Sequence, residues 1–317
     1  MFGKPKRKIS QTPLVSVIIP NYNHARYLKQ RLDSVFNQTY QNFEVIFLDD
    51  CSTDNSLEII ERYKDNPHLS QIVVNETNSG STFKQWDKGI GLAKGEWIWI
   101  AESDDYCELN FLEEMVKQIE DRDGVVLEFC SSQFVDENGD FIPTSNDWSQ
   151  TLYVWDRGYE FVKERQCKGN SIWNASSAIF SRLVFLKVDD AYKSYKMAGD
   201  KLFWIEVALC GGVVHFNKRF NYYRRHSASV SHKRVLDGTL YREEYAIMSY
   251  LHKQGLLRGI FWMDGWVFYI GKLLTKEFDS ECVRKELLEL WGVKGRMGLM
   301  KFKVRRKFVK YYKRYLA

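Results

Sequence analysis

Proline is scarce in this chain of 317 residues: five in all, and none after Pro143. Its second half can therefore run in helices without the ring clash and lost N–H donor that break them. The six cysteines, Cys51, Cys107, Cys130, Cys167, Cys210 and Cys282, include no Cys-x-x-Cys pair and no metal-ligand spacing. That argues against a disulfide framework or zinc module and for reduced, cytosolic thiols. No apolar run reaches the ~20 residues of a spanning helix; the longest late one, 259–274, is interrupted by Asp264 and Lys272. Residues 1–12 are basic but lead into a short run containing Pro20, not into a signal-type apolar region and cleavage site. A cytoplasmic protein is expected, soluble or peripheral on the cytoplasmic face of the membrane.

Acid is absent from the C-terminal end. Beyond Glu289 there is none, while ten Lys and Arg fall in residues 290–317. Residues 1–289 hold 36 basic and 41 acidic side chains, so the overall +5 conceals a globule of −5. A mildly acidic body with a cationic tail differs from a uniformly basic protein, and no nucleic-acid partner is expected. A glycine-rich phosphate cradle is missing too. After the first strand-like run the chain reads Pro20-Asn21-Tyr22-Asn23-His24, neither G-x-G-x-x-G nor a P-loop. A nucleotide held there cannot rest its phosphates on backbone amides alone, and needs a metal.

What is present is an alternation of apolar runs and amphipathic stretches. Val15–Ile19, Val45–Leu48, Ile72–Val74 and Trp97–Ile100 read as buried strands, and the helices between them carry Leu28, Leu32, Val35 and Phe36, then Leu57, Ile60 and Tyr63, then Phe83, Trp86 and Ile90. Connections too long for hairpins predict a Rossmann-like, mostly parallel sheet, an α/β fold. Further on come a helix over 111–119, a strand over 125–130, loops with short strands over 136–173, a strand over 177–180, a helix over 202–209 and an edge strand over 213–216. Past residue 233 the pattern is helical, ending in a stripe of Met300, Val304, Phe308, Tyr311 and Tyr315 among Lys and Arg.

Two acidic clusters end two of the strands: Asp49-Asp50, and Glu102-Ser103-Asp104-Asp105. Either alone reads as turn-forming, capping acids. Together they matter more, because parallel strands bring such ends to one sheet edge, where open α/β sheets bind ligands. Three acids in four residues repel one another unless a cation intervenes. A hard divalent ion, Mn²⁺ or Mg²⁺, fits carboxylate oxygens and the phosphates of a ligand.

The string VSVIIPNYNHARYLKQRLDSVFNQTYQNFEVIFLDDCSTDNS, followed by NSG and LAKGEWIWIAESDD, resembles the inverting, nucleotide-sugar-dependent glycosyltransferases of family 2, which have the GT-A fold. The resemblance covers roughly residues 13–232. It implies a basic segment over 1–12, a GT-A domain over 13–232 and a helical extension over 233–317 with a basic amphipathic tail. By that resemblance Pro20 and Tyr22 line a nucleoside pocket and Asp49 accepts from the base. Glu102-Ser103-Asp104 takes the place of the D-x-D signature, with Glu for the first Asp; Asp104 would ligate the metal with Asp105 beside it. Ala198-Gly199-Asp200-Lys201 resembles the segment carrying the catalytic base, with Gly199 replacing its Glu and Asp200 at the catalytic position. An N-cap is the bland alternative for Asp200. Asn221–Ser227 resembles the late Tyr-Arg-x-His element; His226 would ligate metal or phosphate, and Arg224 or Arg225 would offset charge on the leaving group.

The implied activity is metal-dependent, inverting transfer from a UDP-, GDP- or dTDP-sugar to a hydroxyl of a glycan or lipid-linked glycan, in building cell-envelope polysaccharide. Two rival readings are a sugar nucleotidylyltransferase and a degenerate, non-catalytic glycan-binding relative. The tail either meets an anionic membrane surface or packs its stripe on the body of the protein.

Overall fold

The computed structural model describes residues 12–120, 122–143, 151–225 and 235–315. It divides into two compact units. The first comprises Met1–Gly158, Ile172–Asp189 and Glu206–Ser227; the second comprises Tyr159–Ser171, Asp190–Ile205 and Ala228–Ala317.

The first unit is built on one nine-stranded mixed sheet. Its strands are β1 (Val15–Asn21), β2 (Phe43–Asp49), β3 (Leu69–Val74), β4 (Trp97–Ile100), β5 (Tyr106–Cys107), β6 (Val125–Val135), β7 (Leu152–Trp155), β8 (Ala178–Ser181) and β9 (Gly212–Arg224). Their order is β3-β2-β1-β4-β8-β6-β9-β5, with β7 also beside β9. The first four strands run parallel, as the alternation predicts. β8 then lies antiparallel between β4 and β6, β9 runs parallel to β6, and β5 and β7 return antiparallel to β9. Residues 213–216, expected at an edge, are interior: β6 pairs with them on one side and β7 on the other. A four-residue partner inside a loop-like stretch leaves no periodic signal of its own.

Every residue of β1 and β2 is buried, because helices cover both faces of this part of the sheet. On one face α1 (Ala25–Phe36) and α4 (Phe111–Glu120) bring Leu28, Leu32, Val35, Phe111 and Met115 against Val17, Ile19 and Trp99. Each such side chain contributes about 1.5–3 kcal/mol by leaving water. On the other face, α3 (Thr82–Leu92) lies close on the sheet at Gly89. A Cβ there would stand 2.4 Å from Ile18 Cγ2 and 3.0 Å from Leu48 Cδ1. That approach sets the height of Trp86, three residues earlier on the same helix.

Short helices α2 (Ser56–Glu61), α5 (Gly158–Glu164) and α6 (Arg182–Phe185) complete the connections, and α7 (Gly199–Ala208) runs from the second unit into the first. The second unit is helical: α8 (Thr239–Lys253), α9 (Gly259–Thr275), α10 (Glu281–Leu290) and α11 (Gly295–Tyr315). Its centre is Trp291, whose indole lies tilted 4.7 Å from the Tyr269 ring, with Met248, Ile270 and Leu287 fully buried. Residues 159–171 and 190–205 belong to this unit although they precede position 233. Among the described residues, no helix is long and apolar enough to cross a membrane.

Candidate active site

The parallel register sets Asn21 beside Asp49 and Ile18 beside Ile100, so the carboxyl ends of β1, β2 and β4 share one sheet edge. Two turns there clasp each other. Asn21 Nδ2 donates to Asp49 Oδ1 (2.9 Å) and the Ser52 amide to Asp49 Oδ2 (2.7 Å). The Asn23 amide donates to Ser52 Oγ (3.0 Å), and the Thr53 amide to Asn23 Oδ1 (2.8 Å). Both turns contain a left-handed non-glycine residue, Asn23 at φ 56° and Cys51 at φ 66°. Such conformations are disfavoured and persist where surrounding bonds hold them. The clasp leaves Tyr22 standing out, 45% exposed, while Pro20 is buried within β1.

Asp49 itself is wholly enclosed. The oxygens expected to accept from a nucleobase each accept a hydrogen bond that holds the two turns together. Asp50 does similar work one strand over. It accepts from Asn75 Nδ2 (2.6 Å), from the Ser79 amide (2.9 Å) and hydroxyl (2.8 Å), and from Gln85 Nε2 (2.9 Å), tying β2 to the loop before α3.

After β4 the acidic turn is braced from four directions. Trp86 Nε1 donates to Glu102 Oε1 (2.8 Å), and Arg31 Nε to the Glu102 carbonyl (2.8 Å). His24 Nδ1 is hydrogen-bonded with Ser103 Oγ (2.8 Å). Asp105, fully buried, accepts from Asn174 Nδ2 (2.7 Å), Ser176 Oγ (2.8 Å) and the Arg224 amide (2.9 Å). Arg31 Nη2 stands 3.9 Å from the same carboxylate, an ion pair without a hydrogen bond. Both oxygens of Asp105 thus accept hydrogen bonds that hold the turn in place. Asp104, between two braced neighbours, is the partly exposed Asp of the turn.

Burial, then the charge of Asp104, pushes Glu102 up to about 8, against the opposing hydrogen bond from Trp86. Burial and Asp104 push Asp105 up to about 7, with Arg31 opposing. The turn is therefore a place where negative charge is held at a cost, as a cation-binding edge requires.

Arg224, expected beside the leaving group, is engaged with the turn itself. It is buried, and all three of its guanidinium nitrogens donate within the protein: Nε to the Asp104 carbonyl (2.8 Å), Nη1 to the Asp136 (3.1 Å) and Glu137 (3.2 Å) carbonyls, and Nη2 to Gln30 Oε1 (2.7 Å). These bonds pin the acidic turn to β9. Arg225, next in sequence, is exposed, its guanidinium 4.3 Å from the Phe134 ring. Trp173 stacks on the same ring at 5.1 Å and is 45% exposed. His226 lies outside the described residues.

Asp200 belongs to the second unit, in the first turn of α7. Asn170 Nδ2 donates to its Oδ2 (2.7 Å). Burial pushes it up to about 7, against the Lys201 amide, with the nearby Glu244 adding to the rise. Lys201 is buried in a triad with Glu244 and the Tyr269 hydroxyl, which donates to Glu244 Oε2 at 2.6 Å.

A hard cation suits what is here better than a transition-metal cage would. Among the described residues no three His, Cys, Asp or Glu side chains converge as a closed centre. The partly exposed Asp104, with Glu102 close in sequence, supplies carboxylate oxygens of the kind that suit ions which keep water and complete their shell with phosphate.

Sequence reasoning passed over Arg31 and His24. For Arg31 the signal existed: positions 28, 31, 32 and 35 share one helical face, so a charge at 31 sits in an apolar stripe and demands a buried partner. Asn174 anchors Asp105 through its side-chain amide.

Comparison with known proteins agrees with this architecture. Residues 16–186 match the sequence model for glycosyl transferase family 2. The chain is 29% identical over 225 residues to the glycosyltransferase GlyG of Streptococcus pneumoniae serotype 4, covering 68% of this chain and 72% of that one. It is 37% identical over 116 residues to the poly(ribitol-phosphate) beta-N-acetylglucosaminyltransferase TarS of Staphylococcus aureus, which is 35% of this chain and 20% of that one. The crystal structure of S. aureus TarS 1–349 in complex with UDP-GlcNAc superposes with a TM-score of 0.60 at 20% identity, covering 95% of this chain and 91% of that one. The fold is GT-A-like, and the nucleotidylyltransferase reading falls away. By its matched domain and the edge at which its acids gather, the chain belongs to glycosyl transferase family 2 and is a glycosyltransferase.

Proposed function

We propose that this enzyme transfers a sugar from a nucleotide-diphosphate donor, UDP-linked ahead of GDP- or dTDP-linked, to a hydroxyl of a glycan or lipid-linked glycan, with inversion. The observation that carries the reading is the acidic turn after β4. Its Asp104 is presented between the buried, braced Asp105 and the Trp86-bound Glu102, on the edge that carries the exposed Tyr22. The bound UDP-GlcNAc of the TarS structure supports the choice of nucleotide.

Asp104, with Glu102, would hold Mn²⁺ or Mg²⁺, which when bound supplies positive charge to the departing diphosphate. Tyr22 offers a ring to the nucleoside. Asp49 shapes the turn that presents Tyr22 and need not touch the base. Asp200 is the general base: a carboxyl raised to about 7 sits where proton transfer at neutral pH is most effective. It takes the acceptor hydroxyl proton as that oxygen bonds to the anomeric carbon and the bond to the diphosphate oxygen breaks. The exposed Trp173, fixed by its stack on Phe134 beside the Asn174 anchor, offers a flat apolar face to a glycan acceptor.

The test is calorimetric titration of UDP-, GDP- and dTDP-sugars with and without Mn²⁺. A UDP-sugar should bind only with metal, and Asp104→Asn should weaken that binding at least tenfold. Metal-independent binding, unchanged in the variant, would overturn the assignment.

A further inference from the structure

We propose that the outward face of α11 is a docking surface for a membrane rich in anionic lipid, on which the helix lies in the plane of the headgroups. The helix has two faces of opposite use. On one, Phe302 and Val309 are buried; Phe302 lies 6.2 Å from Trp266 of α9, Arg305 sits 4.8 Å from the same ring, and Lys313 reaches Asp264 at 2.8 Å. These contacts hold the helix against its own unit and fix its rotation.

The other face is apolar and turned to solvent. Met297, Met300, Val304, Phe308 and Tyr311 are 67, 62, 62, 50 and 56% exposed. At 3.6 residues per turn they fall within about 40° of a single line. The stripe therefore does not pack within its own unit, and the side chain of Tyr315 lies outside the described residues. Exposed Lys301, Lys303, Lys307 and Arg296 flank it at roughly 60–100° to either side. Apolar side chains along the middle and long cations along the margins form the pattern of a helix lying at a bilayer surface, where Lys and Arg stems extend to the headgroups.

Charge chooses the occupant. Residues 290–317 carry ten basic side chains and no acid. A second copy docking through the same stripe would set those cations against its own. A nucleic acid would satisfy the cations and leave the apolar stripe in water. Only an anionic bilayer uses both, and with no spanning helix among the described residues the contact is interfacial.

The test uses the full chain and sedimentation with vesicles of phosphatidylcholine alone or mixed with phosphatidylglycerol. Partition should be at least tenfold stronger to the anionic vesicles and should fall on adding salt. Lys303→Gln and Lys307→Gln should each weaken it about fivefold. Val304→Asp and Met300→Asp should reduce it more than tenfold while donor binding and thermal midpoint stay at wild-type values, since neither residue is buried. Equal partition to neutral and anionic vesicles would overturn the proposal. So would undiminished binding by the Asp variants, or a wild-type dimer that Val304→Asp dissolves.

Discussion

Arg31→Met tests whether the acidic turn is held by a buried charge. Arg31 and Asp105 are both fully buried, with Nη2 3.9 Å from the carboxylate and Nε donating to the Glu102 carbonyl at 2.8 Å. Methionine keeps an apolar stem on the buried helical face that Arg31 shares with Leu28 and Leu32 but removes the charge. Breaking one side of a buried pair costs about 3–5 kcal/mol, because the other charge is left in a low-dielectric site. At about 2–4 °C per kcal/mol, the thermal midpoint should fall by roughly 6–20 °C. The loss should also depend on pH. Burial first, then Asp104, already raises Asp105 to about 7 with Arg31 opposing, and removing Arg31 raises it further. An acid whose folded pKa is raised contributes stability that is full below its unfolded value near 4 and is lost as pH rises through the folded value. The deficit of Arg31→Met should therefore be small near pH 5, where Asp105 is protonated, and large near pH 8. Asp105→Asn should abolish that pH dependence in a double-mutant cycle with coupling of about 0.5–3 kcal/mol. Urea midpoints measured from pH 5 to 8 decide it. A deficit that is constant with pH, or strict additivity of the two substitutions, would refute the reasoning.

Four further outcomes follow from the same structure. Turnover should rise with pH to a plateau above about 7, the value to which Asp200 is raised, because a base must be unprotonated; a rate flat from pH 5.5 to 8 would remove it from that role, as would measurable turnover by Asp200→Asn. Glu128 is buried with neither oxygen hydrogen-bonded, and burial raises it well above the usual range, so Glu128→Gln should gain on wild type by up to about 1.4 kcal/mol per pH unit above the unfolded value, seen in urea midpoints. Gly89→Val should cost about 1–3 kcal/mol by overpacking against Ile18 and lower the thermal midpoint, whereas Gly91→Ala, with open space around its Cβ, should not. Trp173→Ala should raise the acceptor KM several-fold with donor affinity intact; an unchanged KM would separate Trp173 from the acceptor.

Much of the fold could be read from local pattern. Buried parallel strands such as Val15–Asn21 and Phe43–Asp49 are enclosed on both faces and read as mostly apolar runs, and the helices between them carry one apolar stripe each. Both signals come from neighbours in sequence. The interior position of 213–216 depends on β7, four residues more than fifty positions earlier, and no local period encodes a partner that distant. The acidic turn was legible as a cluster of like charges, but the division of labour inside it was not. Asp104 and Asp105 are adjacent acids of one type; only burial and the donors Asn174, Ser176 and Arg224 distinguish them.

Sequence alone determined that acids end the first unit's parallel strands at one edge, that no glycine cradle serves a phosphate there, and that the last helix is cationic with an apolar stripe. Those are properties of composition and spacing, which the chain carries unfolded. Tertiary structure alone decided which carboxylates are enclosed and which are presented, that Arg224 braces the turn from within, and which face of α11 is left to solvent. Each of those depends on solvent exclusion by residues far away in sequence, and exclusion exists only once the chain has packed.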